Sequence, residues 1–77
     1  MPLSFVKAGF VRVVAINGGR SLREKLYRMG IIEGDVVRVI SNAFPGPILL
    51  QKGGIRIGIG AGMASKIIVQ TLGGDGI

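Results

Sequence analysis

A chain of 77 residues, 48% of them hydrophobic, is one small domain with an apolar core, and that composition excludes a disordered chain. It has no cysteine and no histidine, which excludes a disulfide framework, a thiolate metal site and a redox couple, and removes the commonest transition-metal ligand and general base. Ten Lys and Arg against four Asp and Glu give a net charge of +6, which favours an anionic partner (nucleic acid, the inner leaflet of a membrane or an acidic protein face) and also keeps a very apolar domain in solution.

The opening "MPLSFVKAGFVRVVAI" is apolar, but Lys7, Gly9 and Arg12 break it up too much for the core of a signal peptide or for a span. The expected compartment is the cytoplasm. Phe10 to Ile16, "FVRVVAI", is rich in β-branched residues and predicts a strand, closed by the turn signal "NGG" at Asn17 to Gly19. A short helix follows. Ser21 and Glu24 match a capping box, Leu22, Leu26 and Met29 share one face, and Gly30 stands where a helix takes a left-handed closing residue. A helix this short survives only by packing its apolar face on something.

Val36 to Ser41 predicts a second strand, and "NAFPGP", Asn42 to Pro47, a loop. Ile48 to Lys52 is a third strand, turned by Gly53 and Gly54 into a fourth, Ile55 to Ile59, where Ile55, Ile57 and Ile59 alternate with Arg56 and Gly58. "GAGMAS", Gly60 to Ser65, predicts a turn, and "KIIVQTL", Lys66 to Leu72, a fifth strand. The division is a domain over residues 1–72 and a flexible glycine-rich tail over 73–77. Single and paired glycines between apolar runs, 14 in all with no three-residue period, mark turns and not collagen. Strand, helix and four further strands predict a mostly β fold: a small, strongly bent barrel of about five strands, with the helix inserted after the first strand to cap an open end.

"GIGAGMAS", Gly58 to Ser65, invites a phosphate-loop reading and fails it. A dinucleotide fingerprint starting at Gly58 needs glycine at Met63, one starting at Gly60 needs glycine or alanine at Ser65, no useful helix follows, and no Lys-Ser/Thr pair is present. No catalytic constellation, metal site or cofactor site is expected. Lys7, Lys25, Lys52 and Lys66 read as surface residues. Glu24 is explained by capping and by an i, i+4 pair with Arg28, and Glu33 and Asp35 flank Gly34 in a turn. An enzyme, and with it a small-molecule substrate, is not expected.

The outer face of the helix is the candidate partner-binding surface: Arg23, Tyr27 and Arg28, extended by Arg20, since Tyr and Arg together dominate protein-interface energetics. The alternative is that Tyr27 folds over the Pro-Gly loop and the arginines are merely solvated. For nucleic acid the chain offers charge, but Phe5, Phe10, Tyr27 and Phe44 are scattered, without a stacking ladder, and the helix cations form no stripe.

Leu3 and Gly9 before "VRVVAI", then "LREKLYRMGIIEGDVVRVI", then a Pro-Gly loop leading into "PILLQKGGIRIGIGAGMASKIIV", make a pattern over Pro2 to Val69 that resembles the ferrous iron transport protein A (FeoA) family. The resemblance implies an SH3-like barrel with a helix after the first strand. It also implies a cytosolic accessory, drawn to the inner face of the membrane by its partner, a ferrous iron permease carrying a GTP-binding domain, and acting by protein contact without carrying iron. One departure is that the loop "FPGPI" lacks the acidic residue frequent there in the family, so no role for that carboxylate carries over. The alternatives are a nucleic-acid-binding small barrel and a free-standing regulator module, since similar domains end iron-dependent repressors. Exposed strand ends also leave self-association open.

Overall fold

The computed structural model describes residues 1–73. Five strands, β1 (Gly9–Ile16), β2 (Val36–Asn42), β3 (Ile48–Lys52), β4 (Ile55–Ile59) and β5 (Ile67–Gly73), form one antiparallel sheet in the order β4-β3-β2-β1-β5. The helix α1 (Arg20–Arg28) joins β1 to β2, and a one-turn helix, α2 (Ala61–Ala64), joins β4 to β5.

The sheet bends because its register slips, between Phe10 and Val11, between Val13 and Ala15, and between Val39 and Ser41. Each slip is a local bulge, and bulges tighten the twist that curls a small sheet into an SH3-like barrel. Alternation then sends Val11, Val13, Val37, Val39, Ile48, Leu50, Ile57, Ile59, Ile67 and Val69 inward. Leu3, Leu26, Ile31 and Ala64 close the same core from the segments outside the strands.

Chain entry covers one edge. The Met1 amino group donates to the Val69 carbonyl at 2.9 Å and the Val69 N–H returns to the Met1 carbonyl at 2.7 Å, so residues 1–2 lie along the free side of β5. A 3-10 turn over Leu3–Phe5, which no local pattern announces, then buries Leu3.

Several boundaries correct the sequence reading. The helix starts at Arg20, with Gly19 as its cap and no side-chain cap bond, so Ser21 and Glu24 form no capping box. The Leu22 and Arg23 N–H groups bond the Gly19 carbonyl at 3.1 and 3.2 Å, which makes Gly19 the cap, and Gly18 passes so close to the helix that a Cβ there would stand 2.2 Å from Leu22 Cδ2. "GAGMAS" is the short α2 with Ala64 buried, not a plain turn. β5 is shifted by one residue from the expected Lys66 to Leu72, to Ile67–Gly73, and residues 74–77 of the expected flexible tail lie outside the described residues.

Candidate functional site

The helix α1 divides as its spacing predicts. Leu26 is fully buried, and Leu22 and Met29 pack against the core from the same face. The helix ends in a glycine-closed turn. Gly30 has φ +93°, its N–H reaches the Tyr27 carbonyl at 3.0 Å, and the Ile31 N–H reaches the Leu26 carbonyl at 2.9 Å. Leu26 and Ile31 meet as the buried apolar pair that accompanies this motif. The orientation of the opposite face is thereby fixed.

On that face the four candidate residues have distinct surroundings. Arg20 is almost fully exposed and forms an i, i+4 ion pair with Glu24 at 3.8 Å, so Glu24 answers Arg20 and not Arg28 as expected. Arg23 is half-buried, and its Nη1 donates to the Gly18 carbonyl at 3.1 Å, tying the helix to its own entry turn. Tyr27 is 43% exposed and its hydroxyl donates to Glu33 Oε1 at 3.0 Å. Arg28 is exposed in the last turn, where a cation suits the carbonyl end of the helix. At ~100° per residue the four lie within roughly 140° of one another around the helix. Tyr27 does not fold over the Pro-Gly loop; its anchor is the turn that leaves the helix.

The hydrogen bond from the hydroxyl to the Glu33 carboxylate, some desolvation and the negative charge of Glu33 hold the Tyr27 phenol above its ordinary pKa, against a smaller opposing effect of Arg23. Tyr27 therefore stays a neutral donor throughout the physiological range. Ring, hydroxyl and guanidinium groups thus stand side by side on the outer face of the helix, with the hydroxyl held by Glu33.

Sequence reasoning missed the supports of this face. Lys52, read as a surface lysine, donates to the Gly30 carbonyl at 2.5 Å and to Asp35 Oδ2 at 2.8 Å. Asp35 also accepts from the Ile32 N–H at 3.0 Å. Gly34, φ +96°, donates to the Val13 carbonyl at 2.7 Å and so pins the same turn to β1. Asn42 is a second clamp: its Nδ2 donates to the Ser4 and Val6 carbonyls at 2.9 and 2.7 Å, and its Oδ1 accepts from the Phe44 N–H at 2.8 Å. Beside it Ser4, Phe5, Lys7, Asn42 and Phe44 line a shallow open cleft of about 230 Å³. No local motif marks these long-range partners. The only cue was the position of Asp35 after a glycine turn, where carboxylates bond nearby backbone.

Among the described residues no three His, Cys, Asp or Glu side chains gather as a metal site, and no helix is long and apolar enough to cross a membrane.

Comparison with known proteins adds the family. The FeoA domain model matches residues 1–71. A candidate Fe(2+) transport protein A of Methanocaldococcus jannaschii is 40% identical over 70 residues, covering 90% of this chain and 84% of that protein. A crystal structure of an iron uptake regulatory protein (FeoA) superposes with a TM-score of 0.82 at 38% identity, covering 94% of this chain and 96% of that one. A FeoA-like protein of Clostridium acetobutylicum follows with a TM-score of 0.81 at 27% identity over 94% and 86% of the two chains. The manganese regulator SloR shares the fold, with a TM-score of 0.84 at 20% identity over 94% of this chain and 34% of that protein.

Proposed function

Because the chain belongs to the FeoA domain family, we propose that it serves ferrous-iron transport as a non-enzymatic accessory, in contact with the cytosolic part of a membrane ferrous iron permease and its GTP-binding domain. The observation that supports this reading most is Tyr27. An aromatic side chain stands 43% exposed on a helix whose other face is locked into the core, and Glu33 holds its hydroxyl in place. A preorganised aromatic flanked by Arg20, Arg23 and Arg28 costs little conformational entropy on docking and suits an acidic or carbonyl-rich protein face.

The chain acts by contact and not by carrying the ion. Its three described carboxylates are engaged within the protein: Glu24 with Arg20, Glu33 with Tyr27 and Asp35 with Lys52. Iron is the cargo of the partner. The test is uptake of labelled ferrous iron by cells whose own copy is replaced with the Tyr27→Ala/Arg28→Ala variant at equal abundance. Uptake at the level of cells lacking the chain supports contact through this face. Uptake at the wild-type level overturns it.

A further inference from the structure

The outward face of the sheet carries a second feature that the helix does not use. Along β1 the residues pointing out are Phe10, Arg12 and Val14, and along β2 they include Val36 and Arg38. The register sets Phe10 opposite Arg38, and Arg12 opposite Val36 on one side and Gln70 on the other. Arg38 pairs onward with Gln51, and Gln51 with Arg56. Arg12 and Arg56 are exposed, and the Arg38 guanidinium lies 5.7 Å from the centre of the Phe10 ring. Phe10, Val14 and Val36 are each more than 40% exposed among these cations. None of the five strands contains an acidic residue; Glu24, Glu33 and Asp35 all belong to the helix and the turn after it.

We infer that this face binds an anionic membrane surface directly. The exposed Arg12 and Arg56 match the phosphate groups of acidic lipids, which attract each nearby cation, while Phe10, Val14 and Val36 enter the headgroup boundary, where apolar and guanidinium groups are accommodated together. A nucleic acid takes up the charge equally well, but its phosphodiester chain has no use for two exposed valines. The alternation of aliphatic and cationic positions on a convex sheet therefore favours the lipid layer over a strand of DNA or RNA.

The test is sedimentation of the full chain with phosphatidylglycerol-containing vesicles and with pure phosphatidylcholine vesicles. The vesicles hold no protein, so the result is independent of any permease contact. The chain is expected to sediment with the anionic vesicles and not with the neutral ones. Arg12→Glu/Arg56→Glu weakens this binding at least about ten-fold, whereas Lys25→Glu/Lys66→Glu, which loses the same charge elsewhere on the surface, keeps most of it. Phe10→Trp gives a single tryptophan in a chain that has none, and its emission shifts to the blue on adding anionic vesicles. This readout stands even where Arg12→Glu/Arg56→Glu fails to fold. Absence of wild-type binding, equal loss in the two charge variants, unmoved tryptophan emission in the Phe10→Trp variant, or tighter binding to duplex DNA or RNA at the same phosphate concentration each overturns the inference.

Discussion

Lys52, the last residue of β3, sets its ammonium 2.8 Å from the Asp35 carboxylate and so ties the β3–β4 hairpin to the turn that leaves α1. The same ammonium reaches the Gly30 carbonyl, so one cation closes both the end of the helix and the start of β2. Burial alone pushes the Asp35 carboxyl up. The hydrogen bonds from Lys52 and the Ile32 N–H, with the charge of Lys52, outweigh it and hold the group below its ordinary value.

A carboxyl that is more acidic in the folded state than in the unfolded chain stabilises the fold above its unfolded pKa. That contribution is complete at neutral pH and is lost as the pH falls below about 4, through the folded value. Asp35→Asn is expected to cost about 1–3 kcal/mol at neutral pH and to flatten the acid limb of the stability curve. Thermal unfolding from neutral to acid pH, wild type beside variant, checks both. Parallel curves would remove Asp35 from the account.

The two faces of α1 separate stability from recognition. Leu26 is fully buried, and Leu26→Ala is expected to lose about 2–5 kcal/mol in urea unfolding. Tyr27→Phe removes only an exposed hydroxyl bond and is expected to unfold as the wild type does while binding the partner more weakly. If Tyr27→Phe destabilises the domain as much as Leu26→Ala, the face assignment is wrong.

Gly30 closes the helix at φ +93° with open space where a Cβ would go, so Gly30→Ala isolates the backbone conformation from any clash. The expected cost is about 1–2 kcal/mol, read as a shift of the urea midpoint at unchanged slope. An unchanged midpoint would mean the closing turn adjusts freely.

Asn42 holds the entry segment to the sheet through the Ser4 and Val6 carbonyls. Asn42→Ala leaves those carbonyls without their side-chain donor and is expected to cost about 1–3 kcal/mol. Amide exchange of Val6 and of Phe44, whose N–H bonds Asn42 Oδ1, should quicken first.

Elements built on local signals were legible in the sequence. The β3–β4 hairpin is bounded by Lys52 and Ile55 as the Gly53–Gly54 pair requires, and the apolar face and glycine stop of α1 follow from spacing alone. The start of α1 was not legible, because the bonding of the Leu22 and Arg23 N–H groups to the Gly19 carbonyl is a contact, not a pattern. Nor were the roles of Lys52 and Asn42: each bridges segments far apart in the chain, and a lone lysine or asparagine at a strand end looks the same whether solvated or clamped. On the candidate face, the exposure of Tyr27 could be read from helical periodicity. Its bond to Glu33 and the engagement of Arg23 by Gly18 depend on where the chain turns.

The most direct test of the central claim is titration of the labelled chain against a purified full-length ferrous iron permease in neutral detergent micelles, where no anionic lipid competes. The account predicts saturable binding by the wild type and at least about ten-fold weaker binding by Tyr27→Ala/Arg28→Ala, with Leu72→Ser, at an exposed position of β5, binding as the wild type does. No saturable binding, or equal binding by wild type and the helix variant, would contradict it.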